Sequence, residues 1–516
     1  MRVHPIFKLV GFFLVLSASA VFLSAAQDQQ AATPGTQGNQ KPTIGMQYRA
    51  TLNGNGVEII HVYRGSPAEQ AGLRAKDLVI SLNGKPVNQR EDMNFSAFKP
   101  GTVVTLGYQR TGENKQAMVT LLRHDQVYSK DVFLPLAEKG DADAQADLAG
   151  LYLGGEGIAK DYAVAVLWYR KAAEQGNSEA ERHLAGLYEF GDGLPLDYSQ
   201  ALFWYRKAVE QGNDEAEWHL AGMYEFGKGL PQDNAQAVNW YRKAAEHGNS
   251  DAEVTLGWLY ENGRCVPQDK NIAVSWYRKA AEQGNVFGEN NLGMMYEQGV
   301  GVPQDFGQAL SWYRKAAEQG DNNGEWNVAR MYILGRGMRK SNFNEAAVWV
   351  RKAAEQGNVS AQTELATLYS GGLGVKKDLS QMDYWNNKAA KKKAEDAAEA
   401  FQGFQKQAAA WRALAAKPEL PEDARKQRTL AESYLREKDF KGAIQHYESG
   451  VDLCPTWPEG WYNLALLYGE TEEFAKASDR MKHYLELMPN SPDTQAAKDK
   501  IVIWEDKEAN QPRVRP

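Results

Sequence analysis

Apolar residues change their rhythm along the chain. Between Pro42 and Arg123 they come in short β-branched runs. Val57-Glu58-Ile59-Ile60-His61-Val62 and Leu78-Val79-Ile80-Ser81-Leu82 are followed by Val103 to Tyr108 and Ala117 to Leu122. Runs of this length, bounded by turn residues, predict strands. Asn83-Gly84 and Thr111-Gly112 mark tight turns, and Ser66 to Gly72 and Gln89 to Phe98 read as short helices between strands. From Asp141 onward the apolar spacing becomes three and four, as in Leu184, Leu187 and Tyr188, which predicts helices.

The helical region repeats itself. Trp168, Trp204, Trp240, Trp276, Trp312, Trp349 and Trp385 stand 36 residues apart, with one step of 37, and the phrase WYRKAAEQGN recurs around them almost unchanged. Each copy predicts two helices. Asp161, Asp197, Asp233, Asp269, Asp305 and Asp378 cap the tryptophan helix, and Gly176, Gly212, Gly248, Gly284, Gly320 and Gly357 end it. A Gly-x-Gly turn, such as Gly191 and Gly193, leads back to the capping aspartate. One such hairpin cannot bury its own apolar face, but a stack of them builds a continuous core, with the tryptophan as its expected buried anchor. The sixth copy departs: Ser341-Asn342 replaces the capping aspartate and one residue is added, which predicts a local kink.

These copies resemble the Sel-one-like family, through A-x-x-x-L-A/G-x-x-Y, then G-x-G, then A-x-x-W-Y-R-K-A-A-E-Q-G. Further on, Leu430, Ala431, Tyr434, Ala443, Tyr447 and Pro455 recur 34 residues later as Leu464, Ala465, Tyr468, Ala477, Met481 and Pro489, which resembles two tetratricopeptide repeats. The strand-rich segment resembles a PDZ domain of the circularly permuted type found in exported HtrA-type proteases. The residues that carry the likeness are Gly65-Ser66-Pro67-Ala68, Ala71-Gly72-Leu73, Asp77, Ile80, Asn83-Gly84, Pro100-Gly101-Thr102-Val103-Val104 and Arg110. That resemblance implies capture of an extended peptide as an added strand, its terminal carboxylate held by loop amides. By position Ile44-Gly45-Met46 is the carboxylate loop, Met46 to Ala50 with Tyr48 is the pairing strand, and Met93, Phe95 and Phe98 stand on the opposite wall. In the repeats, positions that vary between copies are free to be specific. They include Asp147, His183 and Thr255, and the large ones among them, Arg182, Trp218, His219 and Trp326, are the candidate recognition residues.

The expected fold is therefore multi-domain: a small α+β PDZ domain followed by an all-α solenoid of Sel-one-like and tetratricopeptide hairpins. The expected order is a signal peptide over 1–26, a flexible linker over 27–41, the PDZ domain over 42–125 and a connecting helix over 126–140. Seven Sel-one-like repeats follow over 141–391, then an Ala/Lys-rich helical linker over 392–420, two tetratricopeptide repeats over 421–489, and a capping helix and tail over 490–516. The signal reading rests on Arg2, His4 and Lys8, the apolar run Leu9 to Leu23, and Ser24-Ala25-Ala26 before the expected cleavage. Export to the periplasm or outside follows from it, with no stable membrane span after cleavage.

A net charge of −7 offers no electrostatic footprint for nucleic acid. Two cysteines, Cys265 and Cys454, exclude a disulfide-rich scaffold. No serine-protease, Walker or zinc-protease motif occurs, and His183 and His219 share a repeat position without a metal-ligand spacing. The sequence thus predicts a non-enzymatic scaffold of the bacterial cell envelope, without cofactor or metal, whose partners are proteins or peptides, C-terminal tails among them. A second reading is an adaptor or regulator of an envelope protease. A third is an enzyme acting on cell-wall or β-lactam compounds. The Sel-one-like proteins associated with that chemistry rely on cysteine pairs bridging each repeat, which this chain lacks.

Overall fold

The structure, a computed structural model, describes residues 42–510 apart from 44–45, 51–55, 65, 89–92, 94, 96–97, 100–101, 124–127, 156, 339, 414–416 and 418. The expected signal peptide and linker, the end of the tail, Ile44, Gly45 and most of the Gln89–Phe98 helix lie outside the described residues. A small, mostly antiparallel β domain is followed by a long all-helical repeat region. The described residues fall into two compact units, one ending at Lys392 and one beginning at Lys393.

In the β domain, β1 (Pro42–Thr43) pairs with β8 (Leu122–Arg123), bringing the ends of the segment together. The remaining strands are β2 (Met46–Ala50), β3 (Val57–Val62), β4 (Leu78–Leu82), β5 (Lys85–Pro86), β6 (Val103–Arg110) and β7 (Glu113–Thr120). They form an antiparallel sheet in the order β2-β3-β4-β6-β7, with β5 paired to β4. Asn83-Gly84 and Thr111-Gly112 turn the β4–β5 and β6–β7 hairpins at positive φ. Ser66 caps the short helix α1 (Pro67–Gln70), and Asp77, fully buried, is held by Arg110 through Nε at 2.7 Å and NH2 at 2.6 Å. A buried carboxylate needs such a partner. The helix α2 (Lys130–Glu138) then leads to the repeats.

The repeats are seven hairpins. Their first helices are α3 (Ala142–Gly154), α5 (Ser178–Phe190), α7 (Asp214–Phe226), α9 (Ser250–Asn262), α11 (Val286–Gln298), α13 (Asn322–Leu334) and α15 (Val359–Gly371). Their second helices are α4 (Tyr162–Glu174), α6 (Tyr198–Glu210), α8 (Asn234–Glu246), α10 (Lys270–Glu282), α12 (Phe306–Glu318), α14 (Phe343–Glu355) and the start of α16 (Leu379–Ala413).

Most letters of the recurring phrase have a visible role. The tyrosine is the deepest: Tyr169, Tyr205, Tyr241, Tyr277 and Tyr313 are each at most 1% exposed. A buried phenol must keep a hydrogen-bond partner. From the second copy to the fifth it donates to a glutamate at the end of its own first helix: Tyr205 to Glu189 at 2.9 Å, Tyr241 to Glu225 at 2.8 Å, Tyr277 to Glu261 at 2.8 Å and Tyr313 to Glu297 at 2.9 Å. The glutamate takes a cation from the turn of the next copy, Lys228 on Glu189 at 2.7 Å, Arg264 on Glu225 at 3.0 Å and Arg336 on Glu297. After the fourth copy that turn supplies Val300 instead, and burial pushes the Glu261 carboxyl up. The arginine reaches forward as well: Arg170, Arg242, Arg278, Arg314 and Arg351 donate to Tyr188, Tyr260, Tyr296, Tyr332 and Tyr369 of the following copy. The glutamine closes the hairpin onto a buried glutamate, as Gln283 does on Glu253 at 2.7 Å, and the asparagine caps the next helix.

The tryptophan is not the buried anchor. Only Trp204 and Trp385 are buried, at 8% and 6%, and the other five repeat tryptophans are half-buried. The lysine three residues on sits over each indole, 3.9–5.0 Å from the ring, so the pair covers the outer flank of the hairpin. At the 37-residue step Asn342 takes over the cap, accepting from the Glu345 amide at 3.3 Å, while its own amide bonds the Tyr332 carbonyl at 2.9 Å. In every turn after the first except the fourth, the second glycine has φ positive and lies against the preceding hairpin: a Cβ on Gly193 would stand 2.5 Å from that of Tyr162. The fourth copy places Cys265, a half-buried residue outside any disulfide, at this position with φ +60°, a conformation that costs a side chain about 1–2 kcal/mol.

In the second unit α17 (Glu422–Arg436) with α18 (Phe440–Leu453), and α19 (Pro458–Glu470) with α20 (Phe474–Leu487), form two more hairpins, followed by α21 (Thr494–Asn510). Tyr447, Leu464, Ala465, Tyr468 and Met481 build their core, with Trp504 of α21 covering the end.

Replacing Tyr241 with Ala removes a buried ring and one of the partners of Glu225, and is expected to cost roughly 3–5 kcal/mol. Trp240→Ala, at a half-buried site, is expected to cost less than half as much. Denaturant melts of the two variants check the order, and an equal loss would return the anchor role to the tryptophan.

Candidate peptide-binding site

The strand β2 lies at the edge of the sheet. It pairs antiparallel with β3, Met46 opposite Val62 and Ala50 opposite Val57, with an irregularity between Gln47 and Tyr48. Among the described residues its other edge carries no strand, so its outward backbone groups can pair with an added one. Met46 is a buried member of the domain core rather than a groove residue. Met93, 2% exposed, also belongs to that core, whereas Phe95 and Phe98 are only partly buried against it. The loop residues Ile44 and Gly45 lie outside the described residues.

The end of the sheet that carries Met46 is fastened to the first repeat. On β3, His61 Nε2 lies 2.9 Å from Asp147 Oδ1 of α3, and the other carboxylate oxygen accepts the Arg64 amide at 3.2 Å. The Arg64 side chain continues the junction, with Nε 3.3 Å from Asp141 and NH2 3.1 Å from Asp143, and also pairs with Glu69. Tyr63 packs edge-on against Tyr128 at 4.8 Å, and Tyr128 against Phe133 of α2 at 5.5 Å. Gln47 of β2 donates to the Tyr63 hydroxyl at 2.6 Å, so the edge strand itself touches this junction. Sequence reasoning placed none of these residues in contact. The available signals were His61 inside an apolar strand and Asp147 at a position filled elsewhere by His183, His219 and Thr255.

Burial alone would lower the His61 pKa; the bond to Asp147 and the charges of Asp147, Glu179 and Asp143 raise it instead. Burial raises that of Asp147. Deeper in the array, burial and the neighbouring Arg182 push His183 down to about 3, which keeps its ring neutral.

The candidate recognition residues of the repeats are largely committed within the chain. Arg182 is bound to Glu179 at 2.9 Å, to Glu215 at 3.1 Å and to His183 at 2.7 Å. Trp218 is 3% exposed and donates its indole N–H to Thr255 at 3.0 Å. His219 is buried, stacked on Tyr205 at 5.0 Å, as His183 is stacked on Tyr169 at 4.8 Å. Trp326 is half-buried against the core of the last repeats. Burial takes Trp218 and His219 out of reach of a partner. The reason is that His219 lies on the buried Tyr205 of the second helix before it, while Trp218 reaches Thr255 of the next first helix.

Comparison with known proteins gives the same three parts. Residues 42–121 match the PDZ domain model, and residues 142–177, 178–213, 214–249, 250–285, 286–321, 323–358 and 359–381 match the Sel1 repeat. Residues 424–467 match the tetratricopeptide repeat. Curated relatives include the periplasmic pH-dependent serine endoprotease DegQ of Escherichia coli, 38% identical over 68 residues, and the serine protease Do-like HtrB of Bacillus subtilis, 33% identical over 76 residues. These matches cover 13% and 14% of this chain and only 15% and 17% of the proteases, the extent of one domain. Among solved structures, a Sel1 repeat protein from Oxalobacter formigenes is 32% identical, covering 49% of this chain and 99% of that one at a TM-score of 0.43. A protective antigen of uropathogenic Escherichia coli with an SLR fold is 29% identical, covering 73% of this chain and 90% of that one, also at 0.43.

The His61 shift has a definite sign. A folded-state pKa raised above the ordinary 6.5 gives a contribution that is complete below that value and lost as pH rises through the raised one. The raised Asp147 pKa acts in the same direction at lower pH. The melting temperature of the full chain is therefore expected to fall between pH 6 and pH 8.5, and His61→Gln to flatten that fall. Identical pH profiles for the two proteins would remove His61 as the cause.

Proposed function

We propose that this chain, a Sel1-repeat protein that also carries a PDZ domain and a tetratricopeptide repeat, is a non-enzymatic interaction scaffold of the bacterial cell envelope. Such modules make it a protein-interaction scaffold; the envelope setting and the peptide-end specificity are the finer parts of the proposal. The observation that carries it is β2, an edge strand backed by a filled core. An extended peptide added along Met46–Ala50 gains main-chain hydrogen bonds on a surface that is already built. Ile44, Gly45 and Met46 would supply the amides for its carboxylate, Tyr48 would lie in the pairing strand, and Phe95 and Phe98 would form the facing wall. The helical repeats would hold larger protein partners, and joined modules raise effective concentration. Among the described residues no helix is long and apolar enough to cross a membrane.

The likeness of the PDZ segment to the domains of DegQ and HtrB supports a narrower second reading, an adaptor or regulator that hands substrates to a separate envelope protease.

The test uses the full chain, because the PDZ domain packs on the first repeat. Fluorescence anisotropy with peptides ending in Val, Leu, Ile or Phe is expected to show binding. Amidation of the peptide end is expected to weaken it about tenfold or more, since hydrogen bonds to a charged group contribute ~1.5–3 kcal/mol. Equal binding of free and amidated peptides would mean that the domain reads internal segments. For the setting, sequencing of the mature protein from cell envelopes is expected to start at Gln27; a cytoplasmic chain still starting at Met1 would exclude export.

A further inference from the structure

The second unit opens with a helical segment that precedes its repeats. Within α16, Lys393–Ala400 is exposed on every side. Beyond it the covered positions are Phe401, Phe404, Gln405, Ala408 and Trp411, while Gln402, Gly403, Lys406, Gln407 and Ala409 remain exposed. Steps of three and four place the covered set on one helix face.

That face makes its ring contacts and its ion pair with the last hairpin, α19–α20. Phe404, 8% exposed, stands edge-on to Trp461 at 5.7 Å and against His483 at 4.4 Å. Phe401 meets the same histidine at 5.0 Å, and His483 stacks on Trp461 at 4.5 Å. Gln405 donates to Glu486 at 2.8 Å, 81 residues downstream, and Arg412 lies 3.8 Å from the same carboxylate. These are the elements of helix-in-groove recognition: apolar knobs at fixed spacing and one polar contact that sets the register.

We propose that the surface of Trp461, His483 and Glu486 is a recognition groove for an amphipathic helix, that Phe401–Ala413 occupies it within the chain, and that a partner helix displaces this segment. The partner would carry apolar residues at i, i+3, i+7 and i+10, with a hydrogen-bond donor at i+4 and a cation at i+11 facing Glu486. The internal segment is suited to release. It docks through few side chains, it follows an exposed stretch of helix, and a lone helix of this length is marginal in water, so undocking and melting go together. Its tether keeps it in the groove at an effective concentration of about a millimolar, which a free partner must overcome. This deepens the scaffold reading by naming a partner for the tetratricopeptide part, and it involves no PDZ residue.

The probe is a fluorescent peptide of residues 401–413, amidated at its end so that carboxylate capture by the PDZ domain cannot contribute. Anisotropy is measured with the full chain, with Phe404→Asp, which should free the groove, and with Phe404→Asp/Trp461→Ala. Circular dichroism melts report whether the second unit stays folded. Phe404→Asp is expected to keep that unit folded and to bind the peptide ~10-fold or more tighter than the unaltered chain, because the tethered competitor has left. The double variant is expected to lose that gain. Equal binding by the unaltered chain and Phe404→Asp, a gain that survives Trp461→Ala, or loss of the second unit's transition in Phe404→Asp would each overturn the proposal. None of these outcomes bears on the terminal-peptide test of the PDZ groove.

Discussion

A phenol buried between helical hairpins needs an acceptor, and the Sel1 array is organised around meeting that need. Tyr205, Tyr241, Tyr277 and Tyr313 each find a glutamate on their own hairpin. That glutamate is itself buried and negative, so it requires a cation, which the next hairpin provides where it can. The chain of requirements therefore runs outward from one ring. Satisfying the tyrosine buries a charge, and satisfying the charge recruits the neighbouring repeat. Packing of alanines against alanines gives the stack its closeness, but this polar chain gives it register, because an unpaired member would be costly.

Much of the architecture was legible in the sequence because it is locally encoded. The runs Val57–Val62 and Leu78–Leu82 became β3 and β4 with those bounds, and the 36-residue phrase became helical hairpins with the expected caps. The ranking inside the phrase was not legible. The tryptophan recurs in all seven copies and the tyrosine in five, with Val350 and Asn386 in its place in the last two, so recurrence points to the wrong ring, and only the side on which the next hairpin sits decides which one is buried. β7 begins at Glu113, before the apolar run at Ala117, because a hairpin extends as far as its partner strand pairs, whatever the solvent side carries. Of the candidate site, the edge strand could be read from its family pattern. Met46, Met93 and Trp218 could not be separated into core and surface by residue type. The junction through His61, Arg64 and Asp147 was hidden for a simpler reason: it occurs once, between residues 86 positions apart for the closest pair, and repetition gives no hint of it.

The junction changes what the PDZ domain can be within this protein. A domain on a free linker samples many orientations, whereas this one is held by an ion pair, an arginine bridged to three carboxylates and an aromatic cluster. Gln47 joins β2 to the same junction through Tyr63. A ligand laid along β2 would therefore run close to the first repeat in a fixed direction. PDZ domain and array present one continuous surface, and binding to one part constrains where the rest of a partner can go.

The short reach of these polar contacts has a consequence for how such a protein can change over generations. The ties described in the repeats close within one hairpin or with the next, and none skips a unit. Unequal recombination within the coding DNA that inserts or deletes one 36-residue block leaves a tyrosine with its glutamate, because that tie closes within one hairpin, whereas the cation on the glutamate changes with the turn that follows. Single-residue insertions lack this immunity, and the one extra residue in the array lies in a turn, where Asn342 restores the cap. The reach of the array is thus a heritable quantity that can be lengthened or shortened in whole steps, with only the contacts between newly adjoining repeats to be refitted.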